Sequence, residues 1–179
     1  GLDLINLFDY VKNMRDKITQ GSGIPVSIGV AATKTLSKIA NRICKKKYRI
    51  VGVYIIDSEE KRIEALKATI VDDIWMVGRK ISSKLISKGI LTAYDLSNVS
   101  PAWARANFSV VLEKTVRELQ GQLCIPLEEK LKINQHIACQ KSFGQLQSEF
   151  EPIAEALANY VARVAEKLRK QQSVAGGIE

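Results

Sequence analysis

The chain has 179 residues, of which 46% are hydrophobic and 26% charged. This composition excludes an intrinsically disordered protein and suffices for one large domain or two to three small ones. The formal net charge of +8 favours a polyanionic partner. No apolar run approaches the roughly 18 residues of a membrane span, and the N-terminus lacks a signal-peptide pattern, so a soluble cytoplasmic protein without membrane association is expected.

The first 57 residues predict an α/β unit of helix, strand, helix and strand. Apolar residues recur at helical spacing over residues 4–18, and residues 21–23 end that helix. Residues 24–31 are β-branched and apolar, as in a strand covered on both faces, and Thr33 is a plausible N-cap for the second helix. Residues 48–57 predict the second strand.

The second predicted helix, residues 33–46, has a basic face opposite an apolar one. The basic face carries Lys34, Lys38, Asn41, Arg42 and Lys45, and the apolar face Leu36, Ile39, Ala40 and Ile43. Residues 34–56 contain seven lysines and arginines and no acid, so this segment offers no ion-pair partner of its own. An external anion is the simplest partner, and a solvated lysine face is the alternative.

The chain from residue 59 to residue 121 is predicted to be helical. Residues 59–68 predict a charged helical linker. Thr92 is a predicted cap of a short helix, Pro101 marks the start of the next, and Gly121 closes the last. A compact helical module is therefore expected.

Residues 71–96 contain two short helical patterns joined by a tight turn, and all charges between Ile74 and Tyr94 are positive. Gly78 is predicted to let the backbone turn sharply, so that free N–H groups at the start of the second helix attract an anion. The residues assigned to this turn and helix are Val77, Gly78, Arg79, Lys80, Ile81, Lys84 and Lys88. The pattern predicts a phosphate-backbone site, and an ordinary helix hairpin with a basic outer face is the alternative.

The last third of the chain predicts a further α/β unit. Residues 122–132 are typical of a linker, residues 135–143 alternate like a strand, and residues 152–171 predict a long helix. That helix has an apolar stripe that needs a sheet to cover it, although only one strand precedes it. We infer a unit that is cut short, in a chain that is a piece of a longer protein.

The acids, cysteines and single histidine do not suggest a catalytic or metal site. Asp3 and Asp9 fall on opposite sides of the first helix, and the adjacent Asp72 and Asp73 face apart, so neither pair suits a shared metal ion. His136 has no obvious partner and is predicted to have a structural role or to lie on the surface. The three cysteines, Cys44, Cys124 and Cys139, are widely spaced and are expected to be reduced.

Several collinear segments resemble the Y-family translesion DNA polymerases, and within that family the UmuC type. Residues 25–41, PVSIGVAATKTLSKIAN, are similar to the palm strand and helix, and residues 71–96 to the thumb helix-hairpin-helix. Residues 108–121, FSVVLEKTVRELQG, and residues 139–144, CQKSFG, resemble the UmuC type in particular. Met76 departs from the family pattern, because it stands where the first hairpin glycine is expected.

The resemblance implies an α+β fold with a partial α/β palm remnant over residues 1–58. It implies an all-helical helix-hairpin-helix thumb over residues 59–121, a linker over 122–134, and a truncated α/β little finger over 135–179. The family's catalytic carboxylates belong to segments upstream of Gly1, so this piece is expected not to polymerise alone. Its uncovered apolar surface and strand edge suggest self-association.

The activity implied by the resemblance is error-prone DNA synthesis past lesions in SOS-type damage tolerance. The parent enzyme would use Mg²⁺, deoxynucleoside triphosphates and primer-template DNA, with a UmuD-like subunit as a candidate partner. Lys45 falls where the family has a lysine that reaches the triphosphate. The residues expected to bind DNA are Lys34, Lys38, Arg42, Val77, Gly78, Arg79, Lys80, Lys84, Lys141, Ser142 and Gly144.

Two other functional classes remain open from the residues alone. One is a non-enzymatic helix-hairpin-helix DNA-binding protein, and the other is an interaction module whose basic faces meet an acidic protein.

Overall fold

The structure is a computed structural model that describes residues 6–126 and 134–178, and these fall into two compact units, one on each side of the gap. The first unit begins with helix α1 (Leu7–Ser22), strand β1 (Ile28–Val30), helix α2 (Lys34–Lys47) and strand β2 (Val53–Ile55). The strands are parallel, with Val30 opposite Ile55, and α2 is the connection between them. The predicted α/β order is confirmed.

Both strands are shorter than predicted because pairing is confined to three residues in each. The first part of the second predicted strand forms a turn instead, in which the N–H of Gly52 donates to the carbonyl of Tyr48 at 2.8 Å. Gly52 has φ of 70°, a left-handed conformation that glycine adopts without steric cost. β1 is only partly buried, so the expectation that both of its faces are covered is wrong.

Helix α1 ends within residues 21–23, as predicted. Gly23 is left-handed, with φ of 69°, and its N–H donates to the carbonyl of Thr19 at 2.9 Å. At the other end, the side chain of Asn6 accepts from the N–H of Phe8 at 3.1 Å. Residues 4 and 5 of the predicted helix lie outside the described residues.

The rest of the first unit is helical. It comprises α3 (Glu59–Lys67), a 3-10 turn (Val71–Asp73), α4 (Arg79–Ile86), α5 (Ala93–Ser97), α6 (Pro101–Asn107) and α7 (Val110–Leu119). Thr92 and Asp95 cap α5 reciprocally, since each side chain accepts from the backbone N–H of the other at 2.9–3.1 Å. Pro101 lies in the first turn of α6, and Gly121, with φ of 87°, follows α7. These predicted boundaries are confirmed.

Two expectations about this helical part are wrong. The first arm of the predicted hairpin is only the 3-10 turn, which ends at Asp73. In addition, α3 is more than a charged linker, because Ala65 and Leu66 are buried in the core. Most residues of α3 are charged, so the sequence alone did not indicate that Ala65 and Leu66 are buried.

One hydrophobic cluster runs from α2 to α7 and includes Leu36, Leu66, Leu85, Leu96 and Leu119, all of which are almost completely buried. This core crosses the predicted domain boundary between residues 58 and 59, so packing is continuous there. A smaller cluster of Val11, Val53 and Ile55 joins α1 to β2. The shared core fixes the orientation of α2 relative to α4.

The second unit contains helix α8 (Phe150–Gln171), as predicted, but residues 135–143 are not a strand. A strand requires a partner for its ladder, and no second strand accompanies this segment among residues 134–178. The segment is held by side chains of α8, with Lys167 Nζ donating to the carbonyl of Ala138 at 3.0 Å. No residue of α8 is buried, and its apolar stripe is open at Leu157 and Val161.

Across the described ranges, no helix combines the length and apolarity that crossing a membrane requires.

Candidate nucleic-acid interface

Helix α2 presents a basic face because its opposite face is part of the core. Thr33 caps the helix as predicted: its hydroxyl accepts from the N–H of Leu36 at 3.3 Å and donates to the carbonyl of Glu118 at 2.9 Å. The four predicted core residues, Leu36, Ile39, Ala40 and Ile43, are all buried. The lysines and arginine on the other side are therefore directed away from the core.

The lysines of this face have different surroundings. Lys45 is exposed and has no ion-pair partner within the described ranges. Lys38 is also exposed, and its Nζ lies 5.9 Å from the centre of the Trp75 ring. Lys34 is half-buried, and its Nζ donates to the carbonyl of Pro126 at 2.7 Å. Lys38 and Lys45 are consequently the more available cations.

Arg42 and Asn41 are already engaged within the protein. Arg42 forms an ion pair with Asp73, and Lys46 Nζ lies 3.4 Å from the same carboxylate. Asn41 Nδ2 donates to the carbonyl of Ser27 at 2.9 Å, which ties α2 to the start of β1. Tertiary packing thus supplies Arg42 with an acid from outside the segment, so an external anion is not the only partner available to it.

The start of α4 has two backbone donors without an intrahelical acceptor. Gly78 is its N-cap and offers no side chain to accept from them. The N–H groups of Arg79 and Lys80 have no carbonyl acceptor among the described residues, whereas the N–H of Ile81 donates to the carbonyl of Gly78 at 2.9 Å. The predicted cluster of three donors at residues 79–81 is thus reduced to two.

The sharp turn before α4 is made at Met76 and not at Gly78. Met76 has φ of 73°, whereas Gly78 has φ of −84°, which any residue adopts. A Cβ atom added at Gly78 would meet no atom within 4 Å, so the fold itself does not require glycine there. The side chain of Val77 is buried, which restricts any contact of this residue with DNA to its backbone.

Replacing Met76 by glycine is expected to raise the free energy of unfolding by about 0.5–1 kcal/mol. A side chain in the left-handed region costs about 1–2 kcal/mol, and the greater freedom of glycine in the unfolded chain offsets part of that gain. Urea unfolding followed by circular dichroism measures the change. Gly78→Ala is the matched control: reduced freedom of the unfolded chain and loss of a favoured N-cap residue oppose each other, so the shift should be at most about 0.5 kcal/mol. A destabilised Met76→Gly variant would show that the Met76 side chain contributes more than its backbone strain costs.

The charged residues of α4 surround this helix start. Arg79, Lys80 and Lys84 are exposed, and none has an acidic partner within the described ranges. Lys80 and Lys84 are one helical turn apart and share a face. Lys88 follows the helix, with its Nζ 5.8 Å from the centre of the Trp103 ring. Fixed N–H donors and mobile cations together can hold a phosphate group.

The three predicted residues of the second unit are all exposed. Lys141, Ser142 and Gly144 lie in the irregular segment that precedes α8. Lys141 lines an open groove of about 450 Å³, whose other wall includes Asn159 and Arg163 of α8. The structure thus leaves these residues accessible without organising them on a strand.

The residues that the structure describes contain no group of three or more histidines, cysteines or acids able to hold a metal ion. Both carboxylate oxygens of Asp73 face cations, and Asp3 lies outside the described ranges. His136 is exposed, as a surface role predicted. Burial raises the pKa of the Cys44 thiol, which therefore stays protonated and unreactive at neutral pH.

Two acids that matter to this interface were missed by sequence reasoning. Asp73 is the counter-ion of α2, and Glu118, a fully buried residue of α7, binds the start of α2 by accepting from the N–H of Thr35 at 2.9 Å. A signal existed for Glu118, because it lies beside the apolar positions Val116 and Leu119 of an amphipathic helix. Nothing local distinguished Asp73 from Asp72.

Comparison with known proteins shows which family the chain resembles. Residues 134–179 match the impB/mucB/samB family C-terminal domain. The match continues outside that domain, because similarity to individual relatives covers most of the chain. Residues 134–179 are thus similar to the C-terminal domain of this family, and most of the chain is similar to its individual relatives.

Individual relatives show the extent of this similarity. Protein UmuC of Salmonella typhimurium is 42% identical over 165 residues, which are 92% of this chain and 39% of the relative. Protein SamB of Salmonella typhimurium is 39% identical over 96% of this chain and 41% of the relative. DNA polymerase IV of Desulfatibacillum aliphaticivorans is 25% identical over 92% of this chain and 40% of the relative. The chain therefore spans about two fifths of the length of these relatives.

Proposed function

We propose that this chain is the DNA-holding part of an error-prone translesion DNA polymerase of the UmuC type, which acts in DNA repair and SOS-type damage tolerance in the cytoplasm. The observation that carries the proposal is the similarity to UmuC, SamB and DNA polymerase IV over more than nine tenths of the chain. Relatives named as polymerases favour it over a non-enzymatic DNA-binding protein.

In this proposal residues 1–58 are the end of a palm, 59–121 a thumb, 122–134 a linker and 135–179 the start of a little finger. The continuous core of residues 36–119 supports a rigid relation between the first two regions. The basic face of α2 and the start of α4 then form one body that can bind two parts of a nucleic acid without a hinge between them.

The proposed DNA contacts use the available donors. The free N–H groups of Arg79 and Lys80, together with Lys84, would hold one backbone phosphate, and Gly78 would allow that phosphate a close approach. Lys38 of α2 would contact a second phosphate, and Lys45 would reach the triphosphate of the incoming nucleotide. Lys34, Arg42 and Val77 have weaker support, because their side chains are bonded internally or buried.

The second unit would add contacts along the duplex through Lys141, Ser142 and Gly144. Their exposure supports this role. A UmuD-like subunit remains a proposed partner of the whole enzyme, and self-association through α8 is proposed for this chain because its apolar stripe is open.

The acids among the described residues do not fit the Mg²⁺ ions of a polymerase. The described residues offer no suitable cluster, and the carboxylate of Asp73 is engaged by Arg42 and Lys46. Mg²⁺ and nucleotide chemistry are therefore proposed for the parent enzyme, whose carboxylates the family resemblance places in other segments. We expect this chain alone to bind DNA without extending a primer.

The test is binding to a primer-template duplex, measured by fluorescence anisotropy over a salt series. Each phosphate contact should add about 0.9 to the slope of log affinity against log salt, so Lys80→Ala with Lys84→Ala should flatten the slope by up to about 1.8. The matched control is Lys12→Ala with Lys114→Ala, which removes the same charge from exposed sites on α1 and α7.

If both double variants lost the same affinity and slope, the effect would come from net charge alone, which would contradict a DNA site at α4. Binding of an acidic protein with no affinity for DNA would instead favour an interaction module.

A further inference from the structure

The carboxylate of Asp73 faces two cations of α2, Arg42 of the basic face and Lys46 one helical turn further along the helix. Asp73 Oδ1 accepts from Arg42, and Asp73 Oδ2 lies 3.4 Å from Lys46 Nζ. The side chain of Asp73 is only 14% exposed, whereas those of Arg42 and Lys46 are 47% and 65% exposed. The anion is therefore held inside, and the cations approach it from the solvent side.

Asp73 is fixed by the turn that carries it. Its N–H donates to the carbonyl of Ile70 at 3.0 Å, and the next residue, Ile74, is buried in the core. Arg42 and Lys46, by contrast, end in long flexible side chains one helical turn apart. An external phosphate can draw these cations outward, but the carboxylate cannot follow them.

We propose that Asp73 is a built-in competitor for nucleic-acid phosphate at Arg42 and Lys46 and thereby limits the affinity of the basic face. This inference rests on the proposed function and adds a regulator to the same surface. Lys38 has no such carboxylate among the described residues and makes the initial contact with DNA. Arg42 and Lys46 join only when a phosphate displaces Asp73.

Asp73 should lower both the affinity for DNA and the dependence of that affinity on salt concentration. A free cation that contacts DNA replaces a condensed counterion, and release of that ion drives binding. A cation already paired with Asp73 exchanges one anion for another, so part of this gain is lost. Because the carboxylate carries one charge, its removal should restore up to about 0.9 of slope in total, which corresponds to at most about tenfold in affinity at roughly 50 mM salt.

The experiment compares Asp73→Asn with Asp72→Asn in the full chain, using the same primer-template duplex and salt series. Asp72 is an exposed neighbour, so its change alters net charge equally but frees neither Arg42 nor Lys46. We expect Asp73→Asn to bind several-fold more tightly than Asp72→Asn, with a steeper slope. In a background of Arg42→Gln and Lys46→Gln, the difference should vanish.

Equal affinities and slopes for the two variants would overturn the inference, and so would weaker binding by Asp73→Asn, which would make Asp73 a support for the turn before α4. Asp73→Ser serves as a second variant, and thermal unfolding checks that each variant is folded. Failure of the proposed function is distinguishable, because then neither the wild-type chain nor Asp73→Asn binds the duplex with a salt dependence.

Discussion

Replacing Gly29 by alanine is expected to lower the free energy of unfolding by about 3 kcal/mol or more. A Cβ atom at this position would lie 2.0 Å from the backbone nitrogen of Asn41 and 2.6 Å from the carbonyl carbon of Ala40. Both are backbone atoms of α2, so no side-chain rotation relieves the clash, and α2 must move away from β1. Urea unfolding followed by circular dichroism measures the loss.

Gly21→Ala is the matched control for this substitution. Gly21 lies in the last turn of α1, and an added Cβ atom would meet nothing within 4 Å. Alanine there should stabilise the protein by about 0.5–1 kcal/mol, because the unfolded chain loses conformational freedom. Similar unfolding curves for the two variants would contradict the close approach of β1 and α2. Since α2 carries Lys38, a proposed contact to DNA, a folded Gly29→Ala variant should also bind DNA more weakly.

Replacing Glu118 by glutamine is expected to lower the free energy of unfolding by about 2–4 kcal/mol. One carboxylate oxygen accepts from the N–H of Thr35 at 2.9 Å, and the other accepts from the N–H groups of Cys124 and Ile125, each at 3.0 Å. Glutamine keeps one acceptor but turns an NH₂ group towards the remaining donors, leaving buried groups unpaired. Thermal and urea unfolding measure the loss, and the exposed Glu64→Gln is the control, with a change below about 0.5 kcal/mol.

The same substitution predicts a specific pH dependence. Burial raises the pKa of Glu118, but hydrogen bonds from the N–H groups of Thr35, Cys124 and Ile125 outweigh it and hold the pKa below its ordinary value. Because the folded pKa is the lower one, the ionised carboxylate stabilises the fold fully above about pH 5, and this stabilisation is lost as pH falls through the folded pKa. The difference between wild type and Glu118→Gln should therefore shrink in acid, and a constant difference would show that charge is unimportant.

Local signals in the sequence predicted the helix boundaries well. Thr33 and Thr92 cap helices by bonding to N–H groups three residues away, and Gly23 and Gly121 adopt the left-handed conformation that ends a helix. These interactions involve neighbouring residues only, so they do not depend on the rest of the fold. The apolar face of α2 was predictable for the same reason, because helical periodicity alone decides which residues share it.

Interactions between distant residues could not be predicted in this way. Arg42 and Asp73 are 31 positions apart, and Thr35 and Glu118 are 83 positions apart. The prediction of a strand over residues 135–143 was wrong because a strand needs a hydrogen-bonded partner strand. Alternation of side chains, in contrast, is a property of one segment. Each of these outcomes depends on which second element packs alongside.

The sequence by itself determined the excess of positive charge, the amphipathic helices, and the collinear motifs that resemble the Y-family polymerases. Tertiary structure alone decided which of those charges remain available, leaving Lys45 open while it pairs Arg42 with Asp73. The physical reason is that periodicity and capping act over a few residues, whereas electrostatic pairing depends on distances in space that only the packed core establishes.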